Sequence, residues 1–437
     1  MSENLEDYDK NLVREAAITP GLFRPNYKRC IHMVLPTALS FLGFELPNER
    51  YNALSDNKGL RKVMDENSCF DMEKVIVVVA DSVGVRQFQK ANYLAKIYGK
   101  FNGFQLSSVF PTITSTALSS IHMAATPGIH GIFGHKIFFK ELGAVVDTLK
   151  MSTLSYGARD ALVRVGIDVR SLAYCSSPYD LVEEQGIDHV ELLEDEIAGT
   201  GLSNMIYRKQ VAHGFNNLID AFSTAKHILE QEDRKRVILN VYTGILDSLS
   251  HKYGPYSEEY AIGLRFLEEN IERLVKSIKD KTAEKTAFLF LSDHGQDSLD
   301  PKLEVSFSRD EIDKLNNFMR APIGKSGRVM HFYSREERKE ELLKALREKI
   351  GDRGYLITFE EAVHSLVGRT VNLEMSRLRL GDILAILKTG VNAEIRKNDG
   401  QNAWEEQFCG SHGSTTLNEI TVPFITANVA LLKKTPN

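Results

Sequence analysis

The chain has few cysteines, no excess of basic residues and no long apolar run. Its 437 residues include four cysteines, which are widely spaced and form no CxxC pair: Cys30, Cys69, Cys175 and Cys409. This spacing argues against a thiolate zinc site and a disulfide framework, and it is typical of a reduced intracellular protein. The formal net charge is −5 and the pI is about 6.2. That balance argues against a protein-wide electrostatic attraction to nucleic acid.

The sequence also lacks the patterns of membrane targeting and of disorder. The first residues, MSENLEDYDKN, are polar and acidic, whereas a signal peptide is basic and then apolar. The apolar stretch at 31–46 is interrupted by His32, Pro36 and Glu45, which makes it a poor membrane span. No low-complexity segment and no internal repeat is present. We therefore expect a cytoplasmic protein that binds neither membranes nor nucleic acid stably. The sequence does not predict its oligomeric state.

The chain does contain a regular alternation of strand and helix patterns. Residues 75–80, VIVVVA, form an almost wholly β-branched run, which is typical of a strand buried on both faces of a parallel sheet. Further strands are predicted at Leu106–Val109, Ser171–Tyr174, Val237–Tyr242 and Ala287–Leu291. Helical patterns such as Tyr260–Lys279 lie between them. The alternation predicts an α/β fold with a doubly wound, mostly parallel sheet flanked by helices.

The composition and pattern divide the chain into three predicted regions. Residues 1–72 mix helical and loop signals with several prolines, and we interpret them as an N-terminal extension packed on the core. Residues 73–309 and 401–437 form the main domain. Residues 310–400 form a small α+β insertion that caps it, with strands predicted at 328–333, 355–358 and 383–387 and a charged amphipathic helix at 335–350. The GKS tripeptide in this insertion lacks the earlier glycine of a P-loop, so it does not predict a nucleotide-binding loop.

Acidic residues and histidines cluster just after the predicted strands, where a sheet of this kind binds ligands. Asp247 and His251 are four residues apart, which places both side chains on one face of a helix. Asp293 and His294 are adjacent and precede a glycine, so on a loop both can turn toward one cation. Taken singly, each residue has an ordinary structural explanation as a cap, an exposed pair or a loop residue. The full set of candidate ligands is Asp81, Asp247, His251, Asp293, His294 and His412.

Three carboxylates and three imidazoles form a mixed oxygen and nitrogen ligand set. Such a set suits zinc, manganese or iron better than calcium or magnesium. Six ligands exceed what one tetrahedral ion takes, whereas two ions about 4 Å apart share them. Two-metal sites clamp the attacking and leaving oxygens of a displaced phosphoryl group. The ligand set therefore predicts a metal-dependent phosphoryl-transfer hydrolase.

A nucleophile for such a reaction is predicted in the segment at 110–120, FPTITSTALSS, which leaves a strand and begins a helix. A hydroxyl at a helix N-terminus lies where backbone N–H groups favour an anion, and coordination to a metal lowers its pKa. The ordinary explanation of these hydroxyls is an N-cap. Spacing alone does not choose among Thr112, Thr114 and Thr116.

The ordered motifs of the chain resemble those of a known family. They are ADSVG around Asp81, then FPTITST, TPGIHGIFG, DSLSHKYGP, LSDHGQ and GSHGS. Their content and order resemble the nucleotide pyrophosphatase/phosphodiesterase branch of the alkaline phosphatase superfamily, from Val75 to about Ile425. The LGAVVDTL segment after Lys140 and the small insertion are similar to the intracellular prokaryotic members of this branch.

This resemblance implies an alkaline phosphatase-like fold and two divalent ions, with zinc as the expected metal and manganese as the alternative. The ligands implied for one ion are Asp247, His251 and His412, and those for the other are Asp81, Asp293, His294 and the nucleophile. The family's nucleophilic threonine lies three residues after the proline of its segment, which selects Thr114. The implied reaction is hydrolysis of a phosphodiester or phosphoanhydride of a nucleotide-like substrate through a covalent phospho-threonine ester.

One part of the family pattern is absent. Nucleotide-specific members have an asparagine that binds a phosphate oxygen, and the corresponding position here is His135 or Gly134. Arg377 and Arg379 of the insertion are further candidates to reach a phosphate, although surface positions are their ordinary explanation. Two other functions stay open at this point: a phosphomonoesterase that uses the same site, and a non-catalytic nucleotide-binding member of the fold.

Overall fold

The computed structural model of the chain describes residues 8–12, 14–16, 19–47, 50–207, 211–395 and 408–435. Its strands are β1 (Arg14–Ala16), β2 (Thr19–Arg24), β3 (Lys74–Ala80), β4 (Phe104–Ser107), β5 (Lys136–Phe139), β6 (Ala144–Asp147), β7 (Ser152–Thr153), β8 (Asp188–Glu194), β9 (Ala212–Phe215), β10 (Val237–Thr243), β11 (Thr286–Leu291), β12 (Asp297–Ser298), β13 (Glu304–Phe307), β14 (Gly324–Ser326), β15 (Val329–Phe332), β16 (Gly354–Thr358), β17 (Ile383–Leu387), β18 (Asn392–Ile395), β19 (Gly410–Ser411) and β20 (Thr421–Asn428).

The helices lie between these strands and are mostly short. They are α1 (Val34–Phe41), α2 (Lys58–Glu66), α3 (Val85–Phe88), α4 (Tyr93–Lys100), α5 (Thr114–Met123), α6 (Pro127–His130), α7 (Ala161–Arg164), α8 (Tyr179–Glu184), α9 (Ser203–Ile206), α10 (Leu218–Glu230), α11 (Ile245–Tyr253), α12 (Glu258–Ser277), α13 (Asp280–Glu284), α14 (Arg309–Asn316), α15 (Lys339–Ile350), α16 (Phe359–Ser365), α17 (Leu373–Leu380), α18 (Leu417–Ile420) and α19 (Val429–Lys433).

Seven strands form a first sheet in the order β4-β20-β11-β3-β10-β8-β9. From β11 to β9 every neighbouring pair is parallel, whereas β20 pairs antiparallel with both β11 and β4. The strands β3, β10 and β11 are buried at every position, which explains their continuous apolar runs. Separate apolar clusters pack on the two faces of the sheet, so helices flank it on both sides. The predicted α/β fold with a mostly parallel sheet is confirmed.

A second sheet of seven antiparallel strands has the order β16-β17-β15-β14-β5-β6-β7. The predicted insertion at 310–400 supplies four of these strands, and residues 136–153 supply the other three. Apolar side chains of β15 and β17 pack against α15 in a smaller core of their own. The boundaries between the three predicted regions stay a prediction. The boundary between the insertion and the final segment, at 400–401, lies outside the described residues.

The N-terminal region is part of the same packed body. Helix α1 lies against β3, and its apolar residues belong to the cluster on one face of the first sheet. A strand predicted at Ser171–Tyr174 is wrong, because residues 169–172 form a 3-10 turn. The Asp168 side chain accepts from the N–H of Arg170 there, and such a local bond closes a turn rather than a strand. Among the described residues, no helix combines the length and the apolarity that a bilayer crossing requires.

Candidate active site

Polar residues gather at the carboxyl ends of β3, β10 and β11, which are neighbours in the first sheet. Asp81 directly follows β3, and Asp293 and His294 follow β11. Helix α11, which begins just after β10, contains Asp247 and His251. These strand ends meet at one edge because the three strands are parallel, which is where ligands bind in sheets of this kind.

The first triad consists of Asp81, Asp293 and His294, whose ligand atoms all lie within 4.8 Å of one another. Nε2 of His294 is 3.5 Å from Oδ1 of Asp81 and 3.3 Å from Oδ2 of Asp293. All three side chains are almost completely buried, with exposures of 2%, 0% and 0%. This triad is therefore a closed cluster of two carboxylates and one imidazole.

The second triad consists of Asp247, His251 and His412, again with ligand atoms within 4.8 Å of one another. Oδ1 of Asp247 is 3.3 Å from Nε2 of His251 and 3.5 Å from Nε2 of His412. The side chains of Asp247 and His251 are 20% and 22% exposed. The second triad consequently lies on the solvent side of the first and is the side from which a substrate can approach.

The two triads adjoin each other. The rings of His294 and His412 stack with their centroids 3.9 Å apart and their planes 18° from parallel. The hydroxyl of Ser82 donates to Oδ1 of Asp247 at 2.7 Å and lies 3.4 Å from Nδ1 of His294. The structure thus brings all six candidate ligands together in the two groups that the family resemblance implies, while their roles as ligands stay a prediction.

Each of the three imidazoles is held in the same way. Nδ1 of His251 lies 2.8 Å from the carbonyl of Gly410, and Nδ1 of His412 lies 2.8 Å from the carbonyl of Thr112. Nδ1 of His294 lies 3.1 Å from the carbonyl of its neighbour, Gly295. A carbonyl accepts only, so each Nδ1 donates to its carbonyl and each Nε2 is directed at the carboxylates. This is the arrangement that orients histidines as metal ligands.

Thr114 is the first residue of α5 and lies next to the first triad. Its Oγ1 donates to Oδ2 of Asp81 at 3.3 Å and lies 3.2 Å from Nε2 of His294. Thr112 is engaged elsewhere, because its hydroxyl donates to the carbonyl of Ser414. The N-cap of α5 has no side-chain cap, so the first N–H groups of the helix are available to an anion.

The electrostatics of the site favour a cation. Burial, together with the negative charges of Asp81 and Asp247, raises the pKa of the Asp293 carboxyl well above its usual range. Oδ1 of Asp81 and Oδ2 of Asp293 are buried and accept no hydrogen bond from the described residues. Burial and the imidazoles of His294 and His251 lower the pKa of His412 well below its usual value, which keeps that ring neutral. Buried carboxylate oxygens without hydrogen-bond partners among the described residues, close to imidazole nitrogens, fit divalent transition-metal ions.

Sequence reasoning missed three residues that support the candidate ligands. Besides Ser82, the hydroxyl of Tyr242 donates to Oδ2 of Asp81 at 2.5 Å, and Nε2 of Gln296 donates to Oδ1 of Asp247 at 3.0 Å. Ser82 and Gln296 lie inside the motifs ADSVG and LSDHGQ, so their proximity in sequence was a usable signal. Tyr242 at the end of β10 gives no such signal, since it looks like one more apolar strand residue.

The predicted phosphate-binding residues are engaged in other contacts. Nε2 of His135 lies 3.1 Å from Oδ1 of Asp147, and whether His135 replaces the family's asparagine stays a prediction. The surface position expected for Arg379 is wrong, because its side chain is fully buried and donates to Glu141 and to the carbonyl of Gly131. Arg377 forms a surface ion pair with Glu360. Both arginines therefore have structural partners in place of a phosphate.

Residues 75–415 match the family model described as type I phosphodiesterase / nucleotide pyrophosphatase. Among solved structures, murine ectonucleotide pyrophosphatase / phosphodiesterase 5 is similar with a TM-score of 0.59 at 14% identity, covering 82% of this chain and 93% of that chain. An inactive form of the same murine protein in complex with AMP is similar with the same TM-score of 0.59 and identity of 14%, over 83% and 93% of the two chains. Phosphonoacetate hydrolase from Sinorhizobium meliloti 1021, in complex with phosphonoformate, has a TM-score of 0.56 at 16% identity over 80% and 89%. At these identities the likeness shows the fold.

Two curated relatives match a short part of the chain. They are the GPI ethanolamine phosphate transferases 1 of Yarrowia lipolytica and Emericella nidulans, which are 30% and 33% identical over 82 and 86 residues. Each match amounts to 18% of this chain and 9% of the relative. The chain thus spans less than a tenth of the length of these relatives.

Proposed function

The chain belongs to the type I phosphodiesterase/nucleotide pyrophosphatase family and is a hydrolase of phosphoester bonds, and we propose that Thr114 and the two triads perform this hydrolysis. The substrate we propose is a phosphodiester or phosphoanhydride of a small nucleotide-like molecule. This substrate class is supported by the similar murine ectonucleotide pyrophosphatase / phosphodiesterase 5, whose inactive form has been solved in complex with AMP. A cytoplasmic location is also part of the proposal, and it is supported by four cysteines that form no disulfide among the described residues.

One observation carries the proposal, namely the common orientation of the three imidazoles. Each has Nδ1 bound to a backbone carbonyl and Nε2 directed at the carboxylates, with the Thr114 hydroxyl beside the first triad. Histidines with a purely structural role need not share one orientation. Histidines that bind a metal through Nε2 typically donate from Nδ1 to a carbonyl or carboxylate. The first triad would bind one divalent ion together with Thr114, and the second triad would bind the other.

Two bound divalent ions supply Lewis-acid stabilisation of the phosphoryl charge and lower the pKa of a hydroxyl or water nearby. The residues of the chain perform the remaining parts of the reaction. Thr114 Oγ1 attacks phosphorus while its proton passes to Oδ2 of Asp81, its acceptor at 3.3 Å. The bond from phosphorus to the leaving oxygen breaks, and the first N–H groups of α5 stabilise the phosphoryl oxygens.

The resulting phospho-threonine ester is then hydrolysed. Water attacks phosphorus and loses one proton, which passes through solvent to the leaving oxygen released in the first step, while the bond to Thr114 breaks and the threonine hydroxyl regains its proton from Asp81. Tyr242 donates to the same carboxylate oxygen at 2.5 Å and so holds Asp81 in place through both steps. The exposed second triad is the side from which water enters and product leaves.

A Thr114→Ala variant tests the nucleophile. We expect it to lose hydrolysis of bis(4-nitrophenyl) phosphate, because no phospho-threonine ester can form. At saturating zinc it should still bind two ions, because Asp81, Asp293 and His294 remain. Thr114→Ser retains a hydroxyl and should retain measurable turnover. Wild-type turnover by Thr114→Ala would show that another group attacks.

Metal analysis of the purified protein tests the two-ion proposal. We expect two transition-metal ions per chain, zinc in the first instance, and loss of activity after chelation that zinc or manganese restores. A measured metal content well below two ions per chain would overturn the two-ion proposal.

The ratio of rates on two aryl esters separates the proposed diesterase from a monoesterase. We expect bis(4-nitrophenyl) phosphate to be hydrolysed faster than 4-nitrophenyl phosphate. The dianionic monoester needs an extra positive group, and the two arginines predicted to reach a phosphate pair with Glu141 and Glu360 instead. A screen of dinucleotides, cyclic nucleotides, nucleoside triphosphates and nucleotide sugars then identifies the leaving group.

A further inference from the structure

Arg328 is a fully buried arginine that lies beside the second triad without belonging to it. Together with Gly327 it forms the two-residue turn between β14 and β15 of the second sheet. Gly327 has a φ of +58°, the left-handed conformation that such hairpin turns require at their first position. The sequence that contains a GKS tripeptide is therefore a hairpin whose tip faces the site.

The guanidinium of Arg328 is engaged on every side. Nη1 lies 3.0 Å from Oδ2 of Asp297 and 3.0 Å from Oε1 of Glu419. Nε donates to the carbonyl of Val391 at 3.2 Å, and Nη2 donates to the carbonyl of Lys388. A buried charge is tolerated only with such complete pairing, so this arginine has one defined position.

Asp297 and Glu419 connect the guanidinium to the loops that contain the proposed ligands. Asp297 pairs with Ser411 in the short ladder of β12 and β19, and Ser411 directly precedes His412. Oε1 of Glu419 accepts a hydrogen bond from the N–H of Ser414 at 3.1 Å, and Ser414 lies two residues after His412. The backbone carbonyl of Glu419 accepts from the N–H of Gly295 at 2.8 Å, next to the histidine of the first triad. The ion pair therefore holds the loop on both sides of His412, whereas the link to the first triad is one backbone hydrogen bond that does not involve the Arg328 side chain.

The backbone of the hairpin turn contacts the second triad directly. The N–H of Arg328 donates to the carbonyl of His412 at 2.9 Å. A Cβ at Gly327 would lie 2.0 Å from that carbonyl, and a Cβ at Gly413 would lie 2.2 Å from the carbonyl of Ser326. The two chain segments thus approach as closely as backbones can, and His412 cannot shift without moving the hairpin.

We propose that Arg328 is a positioning residue that sets the affinity of the second triad for its metal ion, through Asp297, Glu419 and the backbone of His412. The inference rests on the proposed two-metal function. It assigns a role in the site to the second sheet, which contains none of the proposed ligands. It also differs from a purely structural role, because loss of Arg328 should weaken one ion and spare the other.

Metal titration of the full chain, freed of metal by a chelator, tests this inference. We expect the wild type to bind two zinc ions, and Arg328→Met to bind one of them with wild-type affinity and the other about 10–100-fold more weakly. The matched control is Arg379→Met, which also removes a fully buried arginine with a carboxylate partner in the second sheet region. This control should bind both ions as the wild type does.

The kinetics of Arg328→Met provide a second measurement. Its kcat should depend on zinc concentration and recover as zinc is raised, while KM at saturating zinc stays near the wild-type value. Arg328→Lys keeps the charge without the forked geometry, so its zinc affinity should lie between those of Arg328→Met and the wild type.

Each outcome decides the matter. If Arg328→Met binds both ions as tightly as the wild type, or if both methionine variants weaken metal binding equally, the inference is overturned. If the wild type itself binds fewer than two ions, the proposed function fails first. Should Arg328→Met not fold, the triple variant with Asp297→Asn and Glu419→Gln leaves no unpaired buried charge and takes its place under the same criteria.

Discussion

At the scale of single residues, the site depends on small polar side chains that the ligand motifs do not reveal. The six candidate ligands and Thr114 could be predicted because carboxylates and imidazoles after strands in this order resemble a known family. Ser82 and Gln296 could not be assigned a role, since nothing in a linear sequence says that both donate to Asp247. Hydrogen-bond partners across the sheet edge become visible only when the chain is folded.

A Ser82→Ala variant measures the contribution of one such partner. Removing the hydroxyl deletes the 2.7 Å hydrogen bond to Oδ1 of Asp247, leaving Gln296 as its remaining side-chain donor. We expect zinc affinity at the second triad to fall about 10-fold, as for other partners of metal ligands. Metal titration checks this, and Ser119→Ala is the control because Ser119 is equally buried but bonds to the carbonyl of Ser115. Equal affinities in both variants would contradict the expectation.

At the scale of elements, long uniform patterns were predictable and short ones were not. The buried strands β3, β10 and β11 have continuous apolar runs, and the helix predicted at Tyr260–Lys279 is α12, two residues earlier. The four residues Ser171–Tyr174 carry too little pattern to distinguish a strand from a turn closed by Asp168. The helical spacing of Asp247 and His251 predicted one face of a helix, and α11 contains both.

The contact between the β14–β15 hairpin and the GSHGS loop predicts that Gly413 cannot be replaced. In Gly413→Ala the new Cβ would lie 2.2 Å from the carbonyl of Ser326, at a φ of +116°. The left-handed conformation alone costs about 1–2 kcal/mol of folding free energy, and the clash adds to that cost. We expect a lower midpoint of thermal unfolding and weaker zinc binding. The control is Gly390→Ala, where φ is +79° but the nearest atom lies 3.8 Å away, so only the conformational cost should appear.

At the scale of the whole molecule, the sequence predicted the first sheet but not how the second is assembled. Pattern analysis assigned residues 310–400 to a separate insertion, yet β14 of that region pairs with β5, some 190 residues earlier. Pairing between distant strands depends on the arrangement of the whole fold, which local periodicity does not encode. The same limit explains why the role of Arg328 emerged only from the structure.

Buried neutral histidines outside the site predict how the stability of the whole protein depends on pH. Burial lowers the pKa of His32 and of His331 to about 4, and burial with nearby cationic groups lowers that of His130 to about 3. Between those values and the usual 6.5, the unfolded chain binds more protons than the folded chain. The free energy of unfolding should therefore fall as pH decreases below about 6.5, by up to about 1.4 kcal/mol per pH unit for each histidine.

Chemical denaturation of the chelator-treated protein between pH 4 and 7 checks this slope. His32→Leu should flatten it, because Nδ1 of His32 is buried with no hydrogen-bond partner in the described part of the chain, and leucine has no proton to bind. The exposed His364 provides the control, and His364→Leu should leave the slope unchanged. An equal slope in all three proteins would assign the acid sensitivity to other groups.

The position of β20 has a consequence for synthesis of the chain on the ribosome. This strand, at Thr421–Asn428, lies between β4 and β11 and supplies hydrogen bonds to both. Until β20 leaves the exit tunnel, a nascent chain has unpaired edges on both β4 and β11, and such edges pair readily with other chains. Before β20 has emerged, folding can therefore complete neither the first sheet nor the second triad, whose His412 precedes β20 by nine residues. We expect that the second metal ion is bound only after β20 has emerged, and that a chaperone that covers the edges of β4 and β11 until then would raise the yield of active protein.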